Sequence, residues 1–275
     1  YVGKWHTSGR PSTRGYEEVD GLFAGGKAPA RPQLDRHGQP VTGYVGWQFQ
    51  TAEGRLMPEK GVGLTPNISA EFADAAIRFL RRRVDQPFFL HVNFTAPHDP
   101  LFFPPGFERR YAAEHLPLPP NFLPQHPFDH GNLRGRDELL WPFPRTPAVV
   151  RDELAAYYAV ISHMDQQIGR ILQTLRETGL SDKTLVVFAS DQGLAIGSHG
   201  LRGKQNMYEH TINVPLVVCG PGIPAGQRRD ASCYLRDLFP TVCELTGIEP
   251  PAIEGRSLVP VLRGQQDEIY QFIVG

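Results

Sequence analysis

The sequence predicts an α/β fold, a largely parallel or mixed central sheet flanked by helices. Three observations carry this: two long segments with helical periodicity, short apolar runs with the length of buried strands, and an alternation of the two along the chain. From Ser69, which the pattern predicts as an N-cap, "AEFADAAIRFLRRRV" sets Phe72, Ala76, Phe79 and Arg83 on one face, with Ala73, Ile77 and Leu80 beside them. "PFFLHVNF" at 87–94 is a continuous apolar run suited to a buried strand. "VTGYVGWQFQ" at 41–50 is a shorter strand signal in an opening region rich in Gly, Pro and charge. Twelve of the 26 prolines fall between Pro97 and Pro147, so that stretch is predicted to be a long surface excursion.

The clearest helix follows. "RDELAAYYAVISHMDQQIGRILQTLRETGL" puts Leu154, Tyr158, Ile161, Met164, Ile168, Ile171 and Leu175 on one stripe, with Gly179 as its stop. "TLVVFA" at 184–189 and "VPLVVCG" at 214–220 are strands, and Asp237 to Gly247 is a short helix beginning around Pro240. No internal repeat breaks the pattern, so one domain is expected over 1–275.

Composition narrows the function classes. The chain has 275 residues, is 40% hydrophobic and carries a formal net charge of −1, the balance of a water-soluble globular protein. Near-neutral charge argues against a nucleic-acid surface, and "RRR" at 81–83 suits the end of a helix, where cations complement the dipole. No apolar run approaches the ~18 residues of a membrane span. Cys219, Cys233 and Cys243 form neither a disulfide framework nor a zinc spacing, and two of them lie in apolar patterns that suggest burial. The chain opens on "YVGKWH" without an initiator Met and closes inside the β-like run "DEIYQFIVG", which predicts a segment cut at both ends.

Ligands of α/β sheets gather at the carboxyl ends of strands. Two polar groups are predicted there: His98, in "TAPHDP" after the strand at 87–94, either a functional histidine or one hydrogen-bonded to its turn, and Asp191, in "SDQG" after the strand at 184–189. Asp191 and Gln192 offer a carboxylate and an amide oxygen, the ligand type of Ca2+ or Mg2+, yet two oxygens are too few and an Asp capping a turn before Gly193 is the commoner use. Lys204 in "GLRGK" invites a phosphate-loop reading, which fails because Ser198 stands at the first glycine and Gln205 follows the lysine. It can still serve as a point charge for a tetrahedral oxyanion, or be a solvated surface lysine. In "GKWH", Lys4 and His6 share a side if the backbone is extended, a cation and an imidazole suited to anion chemistry. His126 and His130 have i, i+4 spacing, but Pro127 spoils a helical metal pair. His199 is assigned to loop structure, and His91, His163 and His210 to packing or surface.

Taken in order, "GKWH", "FFLHVNFTAPHDP", "MDQQIGRIL", "TLVVFASDQG", "GLRGK…YE…VPLVV" and "DLFPTVCELTGI…GRSL" resemble the sulfatase family of the alkaline-phosphatase superfamily across roughly residues 1–264. The resemblance implies an alkaline-phosphatase-like fold and a sulfuric ester hydrolase that releases inorganic sulfate from an aryl or carbohydrate sulfate ester. It implies that Asp191 and Gln192 are one pair of ligands to a Ca2+ ion, and that Lys4 and Lys204 bind the sulfate and steady the nucleophile. His98 is then the residue near the leaving oxygen, and His6 helps regenerate the nucleophile. Family members often work outside the cytoplasm, in periplasmic, secreted or lysosomal settings.

Three departures qualify this. The family's nucleophile is a formylglycine made in a Cys/Ser-x-Pro/Ala-x-Arg motif, and no cysteine or serine here stands in it. Two further metal-ligating Asp residues also belong upstream. The expectation is that both precede residue 1 and that the 275-residue chain alone is inactive. Asn213 stands where an Arg is common, a difference nothing explains. Two alternatives share much of the pattern: a phosphodiesterase or phosphonate monoester hydrolase of the same superfamily, and a catalytically dead relative that binds sulfated glycans.

Overall fold

The computed structural model describes residues 1–25, 33–82 and 86–273. These group into two compact units, one of residues 1–179 with 196–202, the other of residues 180–195 with 203–275.

The first unit is a mixed α/β layer. Strands β1 (Val2–Trp5), β2 (Asp20–Ala24), β3 (Gln48–Gln50) and β4 (Val92–Asn93) form a sheet in the order β3-β2-β1-β4. β1 runs parallel to β2 and β4, while β3 is antiparallel to β2. The run at 87–94 is therefore a strand only where it meets Val2 and Gly3. Likewise 41–50 is a strand only in its last three residues. Gly3 permits the β1–β4 pairing: its φ is +104°, and a Cβ there would lie 2.1 Å from the Asn93 carbonyl oxygen. Asn93 Nδ2 in turn donates to the Lys4 carbonyl at 2.9 Å, which fixes the backbone of the GKWH motif.

Helix α1 (Ile68–Arg81) packs on β1 and β2 through Phe72, Ala75, Ala76 and Leu80, all essentially buried. Its N-cap is Asn67, and Ser69 lies buried in the first turn, so the predicted cap is two residues late. Arg83, assigned to this helix by periodicity, lies outside the described residues. The core joins Val2, Phe23, Tyr44, Phe49, Leu64 and Ile68 to the helix.

Helix α2 (Pro147–Glu177) begins a turn earlier than the periodicity showed, with Pro147 at N1 and the Thr146 hydroxyl accepting from the Val149 amide at 3.3 Å. Thr178 caps its C-terminus, and Gly179 follows with φ +71°. Its buried face differs from the predicted stripe. Leu154 and Leu175 are buried, but Tyr158 is exposed, and the interior positions also include Ala156, Ala159, Glu153, His163 and Gln167. Both α1 and α2 bury alanines, and small side chains let packed helices approach closely. Gln167 Oε1 accepts from Arg170 at 2.7 Å, and the settings of Glu153 and His163 are described below. The Pro-rich stretch is irregular, as its composition requires, yet it is not only a surface excursion. It buries Leu101, His126, Glu138, Trp141 and Arg145.

The second unit contains β5 (Val186–Ala189) and β6 (Leu216–Cys219), the short helix α3 (Glu209–Ile212), α4 (Leu238–Thr246) and α5 (Val259–Leu262). β5 and β6 pair antiparallel, the mixed form of the expected sheet architecture. A parallel return needs a crossover element, and the Gly-rich segment between these strands forms no helix beyond the four residues of α3. These strands are half-covered: Val217 is 56% exposed and Cys219 is exposed, whereas Cys243 on α4 is buried. Burial thus holds for Cys243 and fails for Cys219. Helix α4 starts two residues before Pro240 and ends on Gly247 at φ +73°. The fully buried Asp237 ahead of it accepts from the Tyr234 and Arg256 amides and the Tyr270 hydroxyl, tying the chain end to the helix start. Among the described residues no helix is long and apolar enough to cross a membrane.

Candidate active site

Three predicted site residues meet in the first unit. β1 delivers Lys4 near its carboxyl end and His6 just past it, and the turn after β4 delivers His98. They converge on two aromatic rings from the segment before β3. Lys4 Nζ lies 5.3 Å from the Tyr44 ring centroid, and the His98 ring meets Tyr44 edge-on at 4.7 Å. Trp47 packs on Tyr44 at 5.0 Å and receives the His6 ring at 5.1 Å. Tyr44 is buried, Lys4 and His98 are half-buried and His6 is exposed. A cleft of about 530 Å³ opens beside His6, lined by Trp5, Arg10, Trp47 and Gln50 at the carboxyl ends of β1 and β2. The sequence showed Tyr44 and Trp47 only as part of a strand signal; their spacing on a turn carries no helical or strand period.

Tyr44 makes a testable contribution. Tyr44→Leu removes an aromatic edge contact and a cation–π contact, and is expected to cost about 1–2.5 kcal/mol of unfolding free energy. Tyr44→Phe keeps the ring contacts with His98, Lys4 and Trp47, so its denaturant midpoint should lie close to wild type.

Behind His98 lies a chain of charges that sequence reasoning missed. Asp99 is bound by Arg136 and by Arg202 Nη1 at 3.3 Å. Arg202 Nη2 donates to Glu153 on α2 at 2.9 Å, and Glu153 also accepts from Arg36 at 2.8 Å. Burial pushes the Asp99 carboxyl up, but Arg202, Arg136 and His98 outweigh it and hold the pKa at about 2, below the ordinary 3.8. A carboxyl depressed in the folded state stabilises fully above its unfolded pKa, and that stability is lost as pH falls through the folded value. Acidification from about pH 5 to about pH 2 should therefore cost on the order of 2 kcal/mol through this group. Asp99→Asn should remove that part of the slope in urea titrations at stepped pH.

The other predicted residues lie in the second unit. Asp191 and Gln192 follow β5 and are both exposed. Gly193 next to them donates to the Thr211 carbonyl at 2.9 Å, and a Cβ there would strike the His210 carbonyl at 1.9 Å, so this turn requires glycine. Lys204 is half-buried. The loop after it is pinned by Asn206, whose Oδ1 accepts from the Tyr208 amide at 3.1 Å and the Thr211 hydroxyl at 3.0 Å. Among the described residues no group of three His, Cys, Asp or Glu could hold a metal. Asp191 and Gln192 match a hard divalent cation in kind, supplying two of the roughly six or more oxygens it takes.

The remaining histidines have structural settings. His126 Nδ1 lies 2.7 Å from the Phe128 carbonyl, and its ring is 5.2 Å from His130. His199 bonds to Asn121 at 2.9 Å, as a loop-building residue would. His163, on α2, is buried against Phe107 from the Pro-rich stretch.

Comparison with known proteins identifies the pattern. The family model described as Sulfatase matches residues 1–248. The multifunctional alkaline phosphatase superfamily protein PehA of Trinickia caryophylli is 32% identical over 263 residues, covering 81% of this chain and 50% of its own length. Choline-sulfatase of Rhizobium meliloti is 36% identical over 187 residues, covering 65% of this chain and 36% of its own. Among solved structures, phosphonate monoester hydrolase SpPMH of Silicibacter pomeroyi superposes with TM-score 0.63 at 27% identity, over 82% of this chain and 46% of its own. The chain thus spans half or less of the length of these relatives. With the family model matched along nine-tenths of its length and an α/β architecture shared with these enzymes, the chain belongs to the sulfatase family.

Proposed function

We propose that the protein containing this chain is a sulfuric ester hydrolase that releases inorganic sulfate from an aryl or carbohydrate sulfate ester. The observation that carries the reading is the meeting of Lys4, His98 and His6 on the Tyr44–Trp47 pair at the carboxyl ends of parallel strands. Hydrolysis of a sulfate ester moves negative charge onto the sulfuryl and leaving oxygens. Lys4 and Lys204 bind the sulfuryl oxygens as fixed point charges. His98 donates the proton to the leaving oxygen, and imidazole suits that task near neutral pH. His6 acts as the base that frees the nucleophile after turnover.

Asp191 and Gln192 hold one side of a divalent metal, Ca2+ in this reading. The bound ion would supply positive charge against the sulfuryl oxygens. The formylglycine nucleophile of this reading is not among these 275 residues.

A second reading has its own support: both PehA and SpPMH, by name, reach beyond sulfatases, to an alkaline phosphatase superfamily protein and a phosphonate monoester hydrolase. The full-length protein should be assayed on 4-nitrophenyl sulfate and on 4-nitrophenyl phenylphosphonate. Higher kcat/KM on the sulfate supports the sulfatase reading, and higher kcat/KM on the phosphonate replaces it with the second. Turnover of neither, with retained binding of a sulfated glycan, overturns both in favour of a binding relative.

A further inference from the structure

The charges behind His98 are too deeply placed to be ordinary surface pairs. Arg202 is 3% exposed and the Asp99 side chain 8%, and Arg202's backbone amide donates to Glu138 Oε2 at 2.9 Å. Removing such charges from water is expensive, and apolar residues of similar volume often stabilise a fold as well or better. Stability alone does not explain them.

The chain ends on the site. His98 Nδ1 is 2.7 Å from the Asp99 carbonyl oxygen and 3.4 Å from Asp99 Oδ1. Both oxygens accept, so Nδ1 carries the hydrogen. Neutral His98 is then the Nδ1–H tautomer, and Nε2 is the nitrogen that takes up and gives up the second proton. The network also supports the ring that His98 packs on. A Cβ on Gly43 would lie 2.5 Å from Arg136 Nη2 and 3.1 Å from Asp99 Oδ2, so Gly43 lets Asp99 and Arg136 pack directly beneath the backbone that carries Tyr44. Tyr44 is the ring against which His98 rests. Arg202 reaches Asp99 and Glu153 with different nitrogens, so one guanidinium ties the His98 turn to α2.

We propose that Asp99 and Arg202 are positioning residues: their buried ion pair, anchored on Glu153, fixes the turn whose Asp99 carbonyl accepts from His98 Nδ1, and so holds His98 as its Nδ1–H tautomer with Nε2 presented to the leaving oxygen. This rests on His98 being the proton donor of the hydrolase reading.

The test uses the full-length protein with ring-15N-labelled histidine, as wild type, Asp99→Asn and Arg202→Lys. The lysine keeps the charge but replaces a rigid planar fork, whose two nitrogens reach Asp99 and Glu153 separately, with a compact point charge on a flexible stem. Wild-type His98 should show the Nδ1–H signature, and both variants a mixture of tautomers. Turnover of phenyl sulfate, a poor leaving group, should fall by roughly 10²-fold, whereas 4-nitrophenyl sulfate, whose phenolate leaves without a proton, should change far less. A purely structural role would reduce both substrates alike.

The proposal is overturned if wild-type His98 is the Nε2–H tautomer, if both variants keep the wild-type signature, or if both esters lose rate equally. If Asp99→Asn does not fold, the wild-type tautomer and Arg202→Lys still decide it. A wild-type protein that hydrolyses neither ester overturns the hydrolase reading and the leaving-oxygen role with it, while the NMR arm decides separately whether the pair fixes the tautomer.

Discussion

Lys4→Ala in the full-length protein is expected to lower kcat on an aryl sulfate by about 10²–10³-fold, the usual loss when one preorganised charge donor is removed from a developing oxyanion. The fold should survive. The backbone of Lys4 is held by pairing opposite Phe23, by Asn93 Nδ2 and by the Tyr1 hydroxyl, none of which depends on the ammonium. The side chain's contact with the Tyr44 ring is worth about 0.5–1 kcal/mol to the fold. Lys4→Arg restores charge but spreads it over a planar fork, and should recover only part of the rate. Steady-state kinetics with circular dichroism as the folding control measure this. Wild-type turnover by Lys4→Ala would remove Lys4 from the site.

The largest stability effect is expected at Glu138. Its carboxylate pairs with Arg145 at 2.7 Å, both side chains are essentially buried, and it also accepts the Arg202 amide. Glu138→Ala strands the Arg145 guanidinium in the interior, cupped by the Phe143 ring at 3.8 Å, and leaves that amide without its partner. The expected cost is about 3–5 kcal/mol. Glu138→Gln keeps an acceptor and loses the charge, so it should fall between. Replacing both residues with apolar ones of similar volume should recover much of the loss, since the pair's burial is itself costly. Chemical denaturation of the three variants orders them.

Helices were legible in this sequence in proportion to their length. α2 carried enough turns for its periodicity to show its extent and its stop at Gly179, and what it missed was the first turn, from Pro147, and the exact buried face. Strands were legible as positions and not as partners: 184–189 and 214–220 contain β5 and β6, but direction of pairing is decided by the connection, and nothing local encodes it. The site divided the same way. Lys4, His6 and His98 stand in short motifs next to strand ends, where a sequence can show them. Asp99 stands in the His98 motif and Arg202 in GLRGK, yet they are 103 residues apart in the chain, Arg202 and Glu153 are 49 apart, and Arg136 and Asp99 are 37 apart. Charges that find each other over such distances leave no period to read, and each alone passes for a solvated residue. Gly43 has the same character, since its need arises only from what packs beneath it.

The two units also differ in a way that makes each separately observable. All three tryptophans, Trp5, Trp47 and Trp141, belong to the first unit, and all three cysteines, Cys219, Cys233 and Cys243, to the second. Intrinsic tryptophan emission therefore reports unfolding of the unit that carries Lys4 and His98 and is silent on the other. Alkylation rates report the reverse: Cys219 should react at once, Cys243 only when α4 opens. Followed together through one denaturant series, the two signals show whether the halves of this chain melt as one cooperative body or in sequence, with no probe attached to either.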